Sequence, residues 1–268
     1  MANSASALRV MSFNLHVDWD GSPRPWSARR EAVAAVLRAE RPHLLGTQEG
    51  RPHQIADALA DLGPGYARTG RDRDGDGAGE HMAVFHDRTR LDALEHGDFW
   101  LSDTPDVPAS ETWGGACPRM ATWVRFRDLA AGGEFLAVNT HLDHVSAYAR
   151  ARAARLLVER SAALAPGLPV VLTGDFNTPA DDSEVHGALL AKGGLVDTWD
   201  RAEERGPAYG TFHDYRAPVL DGPRIDWILA SRGTRVWEAS AVPPEAVAPS
   251  DHLPVRARIQ LPPAPVAR

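Results

Sequence analysis

Residues 170–179 read VVLTGDFNTP. Val170–Thr173 is a short apolar run of β-branched character, as expected of a central strand covered on both faces. Immediately after it come Asp175 and Asn177, two residues apart. A buried strand that ends in a carboxylate and an amide places polar chemistry at the rim of a layered α/β protein, where sites are built.

The same form recurs outward from that stretch. Leu8–Phe13 alternates like a strand and ends at Asn14; His43–Thr47 reads as a short buried strand followed by Glu49. Met82–His86, Trp123–Phe126 and Glu134–Asn139 read as strands, the last leading to His141. Ile225–Leu229 begins at Asp226; Val236–Ala241 and Val255–Ile259 follow, with Asp251 and His252 before the last. Helical spacing marks Trp26–Glu40, with Ser27 as its expected N-cap, and also Pro52–Leu62, Ser146–Leu164 and Ser183–Lys192. No repeat, linker or composition shift interrupts the series. One domain over 1–268 is expected, with 1–7 and the Pro-rich 262–268 loose.

Composition narrows the classes. The 268 residues are 43% hydrophobic and 24% charged, which excludes a mainly disordered chain. The net charge of −7 and the scattered arginines supply no basic stripe for a long nucleic-acid backbone. Arg150, Arg152, Arg155 and Arg160 form a solvated helix face. Cys117 is the single cysteine, so no intrachain disulfide forms, and its setting before Pro118 reads as a small buried side chain. No run approaches the roughly 18 apolar residues of a membrane span, and MANSASALRV lacks a signal-peptide core. A soluble cytoplasmic chain is expected, with neither membrane nor obligate protein partner.

Taken singly, Asn14 reads as an Asx turn, Asp175 as a helix N-cap and His252 as a structural histidine. Asp226, entering an apolar strand, demands a partner. Taken together, the set fits phosphate-ester hydrolysis. Glu49, Asp251 and Asn14 are oxygen donors suited to Mg²⁺ or Mn²⁺. Asp175 and Asn177 are placed to hold a water and a phosphate oxygen, and strand alternation would put them on one side. His252 with Asp226 is the candidate proton-relaying pair.

The segments MSFNLH, TQEG, NTHLDH, LTGDFNTP, RIDWI and SDHLPV, from Ser12 to Val255, resemble in order the motifs of the endonuclease/exonuclease/phosphatase superfamily. FWLSDTPDVP and CPRMATWVRF are similar to a bacterial subgroup of small hydrolases. The resemblance implies a four-layer α/β/β/α sandwich. It implies metal-site roles for Asn14, Glu49 and Asp251, and water positioning by Asp175 and Asn177. It further implies that Asp226 pairs with a catalytic His252, and that His141 contacts phosphate. By the same resemblance Glu80 is a candidate partner of His141. Arg119 in CPRMATW, His144 beside the His141 loop and His213 in GTFHDY are candidates to contact substrate from their places in the sequence. His16 is a rim residue. In the stretch DRDGDG, residues 72–77, the twelfth EF-hand position falls on Ala83, so calcium binding is rejected in favour of a flexible acidic loop. Trp100 and Trp113 are candidates to wall the pocket.

The expected function is a divalent-metal phosphoesterase acting by water attack on a small phosphorylated sugar, inositol or nucleotide. A nuclease or phosphodiesterase acting on nucleic acid is the alternative, and an inactive binding module ranks below both.

Overall fold

Alternation along the strands sorts the core into three layers of side chains, in a computed structural model that describes residues 7–263 apart from 182, 245 and 246. The strands are β1 (Leu8–Asn14), β2 (Leu44–Gly50), β3 (Tyr66–Thr69), β4 (His81–Asp87), β5 (Leu91–Trp100), β6 (Met120–Asp128) and β7 (Glu134–His141). They continue as β8 (Val170–Asp175), β9 (Leu195–Asp197), β10 (Ala202–Arg205), β11 (Asp226–Ser231), β12 (Arg235–Ala241) and β13 (Val255–Gln260). The helices are α1 (Trp26–Glu40), α2 (Pro52–Leu62), α3 (Ala147–Leu164), α4 (Glu184–Ala191) and the single turn α5 (Thr198–Arg201).

A seven-stranded sheet runs β10-β12-β13-β1-β2-β4-β3, and a six-stranded sheet runs β5-β6-β7-β8-β11-β9. Val10, Leu44, Val84, Phe135, Val171, Ile228 and Ala257 meet between the sheets. Their strand neighbours Met11, Phe13, Leu45 and Phe85 face outward onto Trp26, Val33, Leu37, Ile55 and Ala58 of α1 and α2. On the other sheet Leu136, Val138, Leu172, Trp227 and Leu229 face Ala153, Leu157, Val185 and Leu189 of α3 and α4. The expected four-layer α/β/β/α sandwich is the fold observed.

Four strands absent from the sequence reading, β3, β5, β9 and β10, are the four sheet edges. α1 keeps the expected span Trp26–Glu40, but Pro25, not Ser27, holds its cap position, with no side-chain cap. Residues 1–6 and 264–268 of the expected loose ends lie outside the described residues, while Ala7 is buried.

Candidate active site

The layer between the sheets changes character along its length. At one end it is aliphatic; toward the C-terminal ends of β1, β2, β7 and β8 it becomes polar, through Ser12, Gln48, Asn139 and Thr173. Gln48 donates from Nε2 to Ser12 Oγ (3.1 Å) and Asn139 Oδ1 (2.8 Å). Asn139 donates to the carbonyls of Thr47 (2.8 Å) and Ala83 (3.1 Å), and Thr173 Oγ1 donates to Asn139 Oδ1 (3.1 Å). Gln48 and Asn139 thus tie one sheet to the other, while Ser12 and Thr173 bond to them from within their own sheets. Gly46 permits the close approach: a Cβ there would lie 2.2 Å from Thr173 Oγ1 and 2.5 Å from Asn139 Oδ1. Asn139 belongs to this network beneath the site.

One step further along, the same inward-facing positions carry the candidate chemistry. Register sets His141 beside Asp175 on the parallel pair β7–β8, and Asp226 beside Asp175 on the antiparallel pair β8–β11. Asn14 continues the inward series of Val10 and Ser12. Glu49 would point outward by alternation, but its φ of 63° and the register shift between Thr47 and Gly50 turn it into the site. A bulge that re-aims a side chain beside a site is a recurring device.

The side chains converge. Asn14 donates from Nδ2 to Glu49 Oε1 (2.8 Å) and Asp175 Oδ2 (3.0 Å), while its Oδ1 accepts from His16 N (2.9 Å). Glu49 Oε2 accepts from Val17 N (2.9 Å). His252 Nδ1 lies 2.9 Å from Asp226 Oδ2, and its Nε2 faces Asp175 Oδ2 at 3.7 Å. His141 Nε2 is 3.3 Å from Asp175 Oδ2 and 2.9 Å from Asn177 Nδ2. Asp251 Oδ2 lies 3.8 Å from His16 Nε2. All eight candidates from Asn14 to His252 share one end of the sandwich. Asn177 gets there by a route other than alternation: β8 ends at Asp175, whose Oδ1 accepts from Asn177 N (2.9 Å), and φ of 50° at Asn177 turns the chain back. Asp175 caps this turn and no helix follows directly.

Burial and charge set the protonation. Burial, then the neighbouring Asp226, pushes the Asp175 carboxyl up to about 7. Burial also raises Asp251, against the pull of His252 and His16. Glu49 stays below the usual carboxylate range, because His252, the Asn14 amide and Val17 N–H outweigh its burial. His252 is buried, yet Asp226, Asp175 and Asp251 hold it well above the usual histidine value, hence cationic. His141 is held neutral by burial and then by Arg119 and Arg73.

The outer candidates separate. Arg119 is buried, places NH2 2.9 Å from His144 Nδ1, and leaves Nε and NH1 without a hydrogen-bond partner among the described residues. Glu80 does not pair with His141 as expected. It accepts from Arg73 NH2 at 2.7 Å, and His141 Nδ1 has no hydrogen-bond partner among the described residues. His213 turns its Nδ1 toward Arg216 O (3.0 Å) and donates its backbone N–H to Asp251 O (2.9 Å), so it braces the segment before His252. The loop from Asp72 is organised by that residue, whose buried carboxylate accepts from the backbone of Asp74, Gly75 and Gly77. Trp100 and Trp113 are buried. Arg152, Arg155 and Arg160 pair with Asp103, Glu184 and Asp106.

Two supporting residues escaped the sequence reading. Thr211 Oγ1 accepts from Ile225 N (2.9 Å) and Asp226 N (3.0 Å), fixing the start of β11. Arg29 is fully buried and donates to the carbonyls of Leu15, His16 and Pro249, tying the loop after Asn14 to the segment of Asp251. Its signal was present: Arg29 shares the helical spacing of Trp26, Val33 and Leu37, an arginine on an apolar face.

Four carboxylates, of Glu49, Asp175, Asp226 and Asp251, meet here with His252 as the cation among them. Asp226 Oδ1 is buried without a hydrogen-bond partner among the described residues. Excess negative charge on oxygen donors suits a hard divalent cation. Ligand atoms of Glu49, His141 and Asp175 lie within 4.8 Å of one another, as do those of Asp175, Asp226 and His252. Asn14, expected as a ligand, uses its amide nitrogen to clamp two carboxylates and its oxygen on His16 N. A third group, His186, Asp197 and Asp200, is an ion network, since Asp197 already binds Arg224 (3.0 Å) and His186 (3.1 Å).

The fold and this gathering of carboxylates and histidines are of the kind a phosphate-ester hydrolase requires. The chain belongs to the Endonuclease/Exonuclease/phosphatase family, whose sequence profile matches residues 11–252. A mannosyl-6-phosphatase from Bacteroides thetaiotaomicron VPI-5482 is 34% identical, with 95% of this chain and 100% of that one covered and a TM-score of 0.88. A family protein from Bacteroides vulgatus is 32% identical over 96% and 99% of the two chains, with a TM-score of 0.89. The human Nocturnin catalytic domain with bound sulfate shares the fold at 18% identity, 95% and 94% coverage and a TM-score of 0.75. No curated protein sequence matches significantly. Among the described residues no helix is long and apolar enough to cross a membrane.

Proposed function

We propose that this protein is a divalent-cation-dependent phosphatase that releases phosphate from a small phosphorylated metabolite, with a sugar phosphate favoured over an inositol or nucleotide phosphate. The observation that carries this reading is the convergence of four carboxylates with a cationic His252. The sugar preference is supported by the sugar-phosphatase activity in the name of the 34% identical relative and by the absence of a basic stripe in the sequence.

Glu49 and Asp251 would hold Mg²⁺ or Mn²⁺, with Asn14 clamping Glu49 against Asp175. The cation would neutralise charge on the phosphate oxygens. Asp175 accepts a proton from the attacking water, and Asn177, whose Nδ2 rests between His141 Nε2 and Leu142 O, would turn one N–H from His141 to a phosphate oxygen. His252, fixed by Asp226, donates from Nε2 to an oxygen on phosphorus, where its charge opposes the negative charge that builds in the transition state. Neutral His141 and Arg119, whose NH1 has no hydrogen-bond partner among the described residues, would contact the phosphate beside them.

Phosphate release tests this reading across hexose, inositol and nucleotide phosphates in Mg²⁺, with EDTA and circular-DNA nicking controls. Turnover of a monoester, lost in EDTA and regained with Mg²⁺, is the expected result. Nicking without monoester turnover would transfer the protein to the nuclease reading.

A further inference from the structure

Exposed apolar side chains gather at the catalytic end. Of the nine large hydrophobic residues exposed among the described residues, Trp19, Val145, Tyr148, Phe212, Val219 and Leu220 lie in three segments. Those segments leave Asn14, leave His141 and lead to Asp226, three of the strand ends that carry the cluster. Apolar surface concentrated beside a polar centre marks a place where something binds.

Two of the six are aromatic rings seated directly on histidines of the cluster. Phe212 is 49% exposed, its ring centroid lies 5.0 Å from that of His252, and its backbone bridges to His252. Trp19 is 46% exposed and stands edge-on to His16 at 5.2 Å; His16 in turn faces Asp251. The backbone near Phe212 is held in the left-handed region, with φ of 49° at Asp214 and 56° at Tyr215. Such conformations persist where surrounding contacts enforce them, and they cluster at ligand clamps.

We propose that Phe212 and Trp19 form the platform that binds the leaving group, and that this group is a pyranose ring carrying the phosphate. This rests on the phosphatase reading above. A ring resting on His252 is one bond network away from the phosphorus that His252 addresses. It therefore meets the ring bearing the phosphate, whereas a nucleobase is set further off by its ribose. One face of a pyranose presents axial C–H groups that pack on an aromatic ring, and its hydroxyls stay in water. An open-chain polyol phosphate has no such face.

The test compares Phe212→Ala and Trp19→Ala on mannose 6-phosphate and on glycerol 3-phosphate, both with Mg²⁺. Loss of one stacking ring should raise KM for the hexose phosphate about ten-fold, with kcat changed by less than about two-fold. The ratio of kcat/KM between hexose and glycerol esters should fall by the same factor, and Phe212→Tyr should restore it. Equal losses on both esters would make Phe212 a mere support for His252, and unchanged ratios would leave the rim without a role; either outcome overturns the platform. If the unmodified enzyme turns over nucleotide or inositol phosphates but no hexose phosphate, the platform reading falls while the phosphatase reading stands. If it turns over no monoester, both fall.

Discussion

Asp175→Asn should make the metal-free protein more stable and nearly inactive. In the native protein burial and the neighbouring Asp226 push Asp175 from 3.8 to about 7. A raised folded value means that this group favours folding fully below about 3.8 and loses that contribution as pH rises through about 7. At pH 8 the ionised Asp175 therefore opposes folding by up to roughly 4 kcal/mol. An asparagine removes that charge and keeps Oδ1 for Asn177 N, but sets its new NH₂ against Asn14 Nδ2, returning about 1 kcal/mol. The expected net gain is roughly 1–3 kcal/mol in urea unfolding at pH 8 with EDTA, shrinking toward pH 4. Saturating Mg²⁺ should erase the advantage, because the native site gains about 2.7 kcal/mol at a hundred-fold excess over Kd. Loss of the proton acceptor should lower kcat by about 10²–10⁴-fold. A variant destabilised at pH 8 would show that the turn at Asn177, not the charge, is what Asp175 serves. Near-full kcat in Mg²⁺ would remove Asp175 from the chemistry and leave the water to His252.

Glu49→Ala should weaken Mg²⁺ binding measured by calorimetry, with less change in the melting temperature than in affinity, since a metal ligand is removed from a charge-crowded site. A collapse in melting temperature would make Glu49 structural. Gly46→Ala should cost roughly 1–3 kcal/mol or more by urea midpoint, because its Cβ would sit 2.2 Å from Thr173 Oγ1 and force the sheets apart; an unchanged midpoint would refute the close approach. Acid should destabilise the fold through His86, which burial and then Arg88 hold down to about 4 from 6.5. Its contribution is complete above about 6.5 and is lost as pH falls through about 4, so His86→Leu should flatten that slope in unfolding midpoints taken from pH 7 to 4.5.

The nine strands read from the sequence are the interior members of the two sheets, and the four it concealed are the edges. An interior strand is bonded on both sides, and β8 is also buried on both faces from Val171 onward, so its run Val170–Leu172 is wholly apolar. An edge strand is paired once. In β5, exposed or half-exposed residues fill all but the first and last two positions, and a register shift between Ala93 and Glu95 breaks what alternation remains. Hydrophobic period is a record of burial, so where burial lapses, as in β5 and β10, the strand leaves no trace, while β9 is buried but at three residues too short to show a period. The Glu80 expectation failed for a related reason: its partner Arg73 lies in the loop organised by Asp72, and spacing does not reveal loop geometry.

The candidate site was legible because its residues are costly where they stand. An apolar strand that ends in Asp175 or begins at Asp226 exposes a charge to a dry interior unless other groups answer it. What could not be read was how two of them arrive. Glu49 lies on the outward side of β2 by period and Asn177 lies beyond the end of β8, and each is brought inward by a left-handed residue, with φ of 63° and 50°. Neither position is glycine, so no composition signal marks the turn. The side chain itself holds the conformation: Glu49 Oε2 is bound by Val17 N and Oε1 by Asn14, while Asn177 Nδ2 meets His141 and Leu142 O. The strain and the chemistry therefore share the same contacts. Glu49→Gly would relax the backbone while deleting the carboxylate, and it should separate the two where Glu49→Ala cannot: a higher melting temperature for the glycine variant than for the alanine variant, with equal loss of Mg²⁺ affinity, is the expected outcome. Equal melting temperatures for the two would show that the left-handed turn at Glu49 stores no strain, and that the bulge is held by the sheet alone.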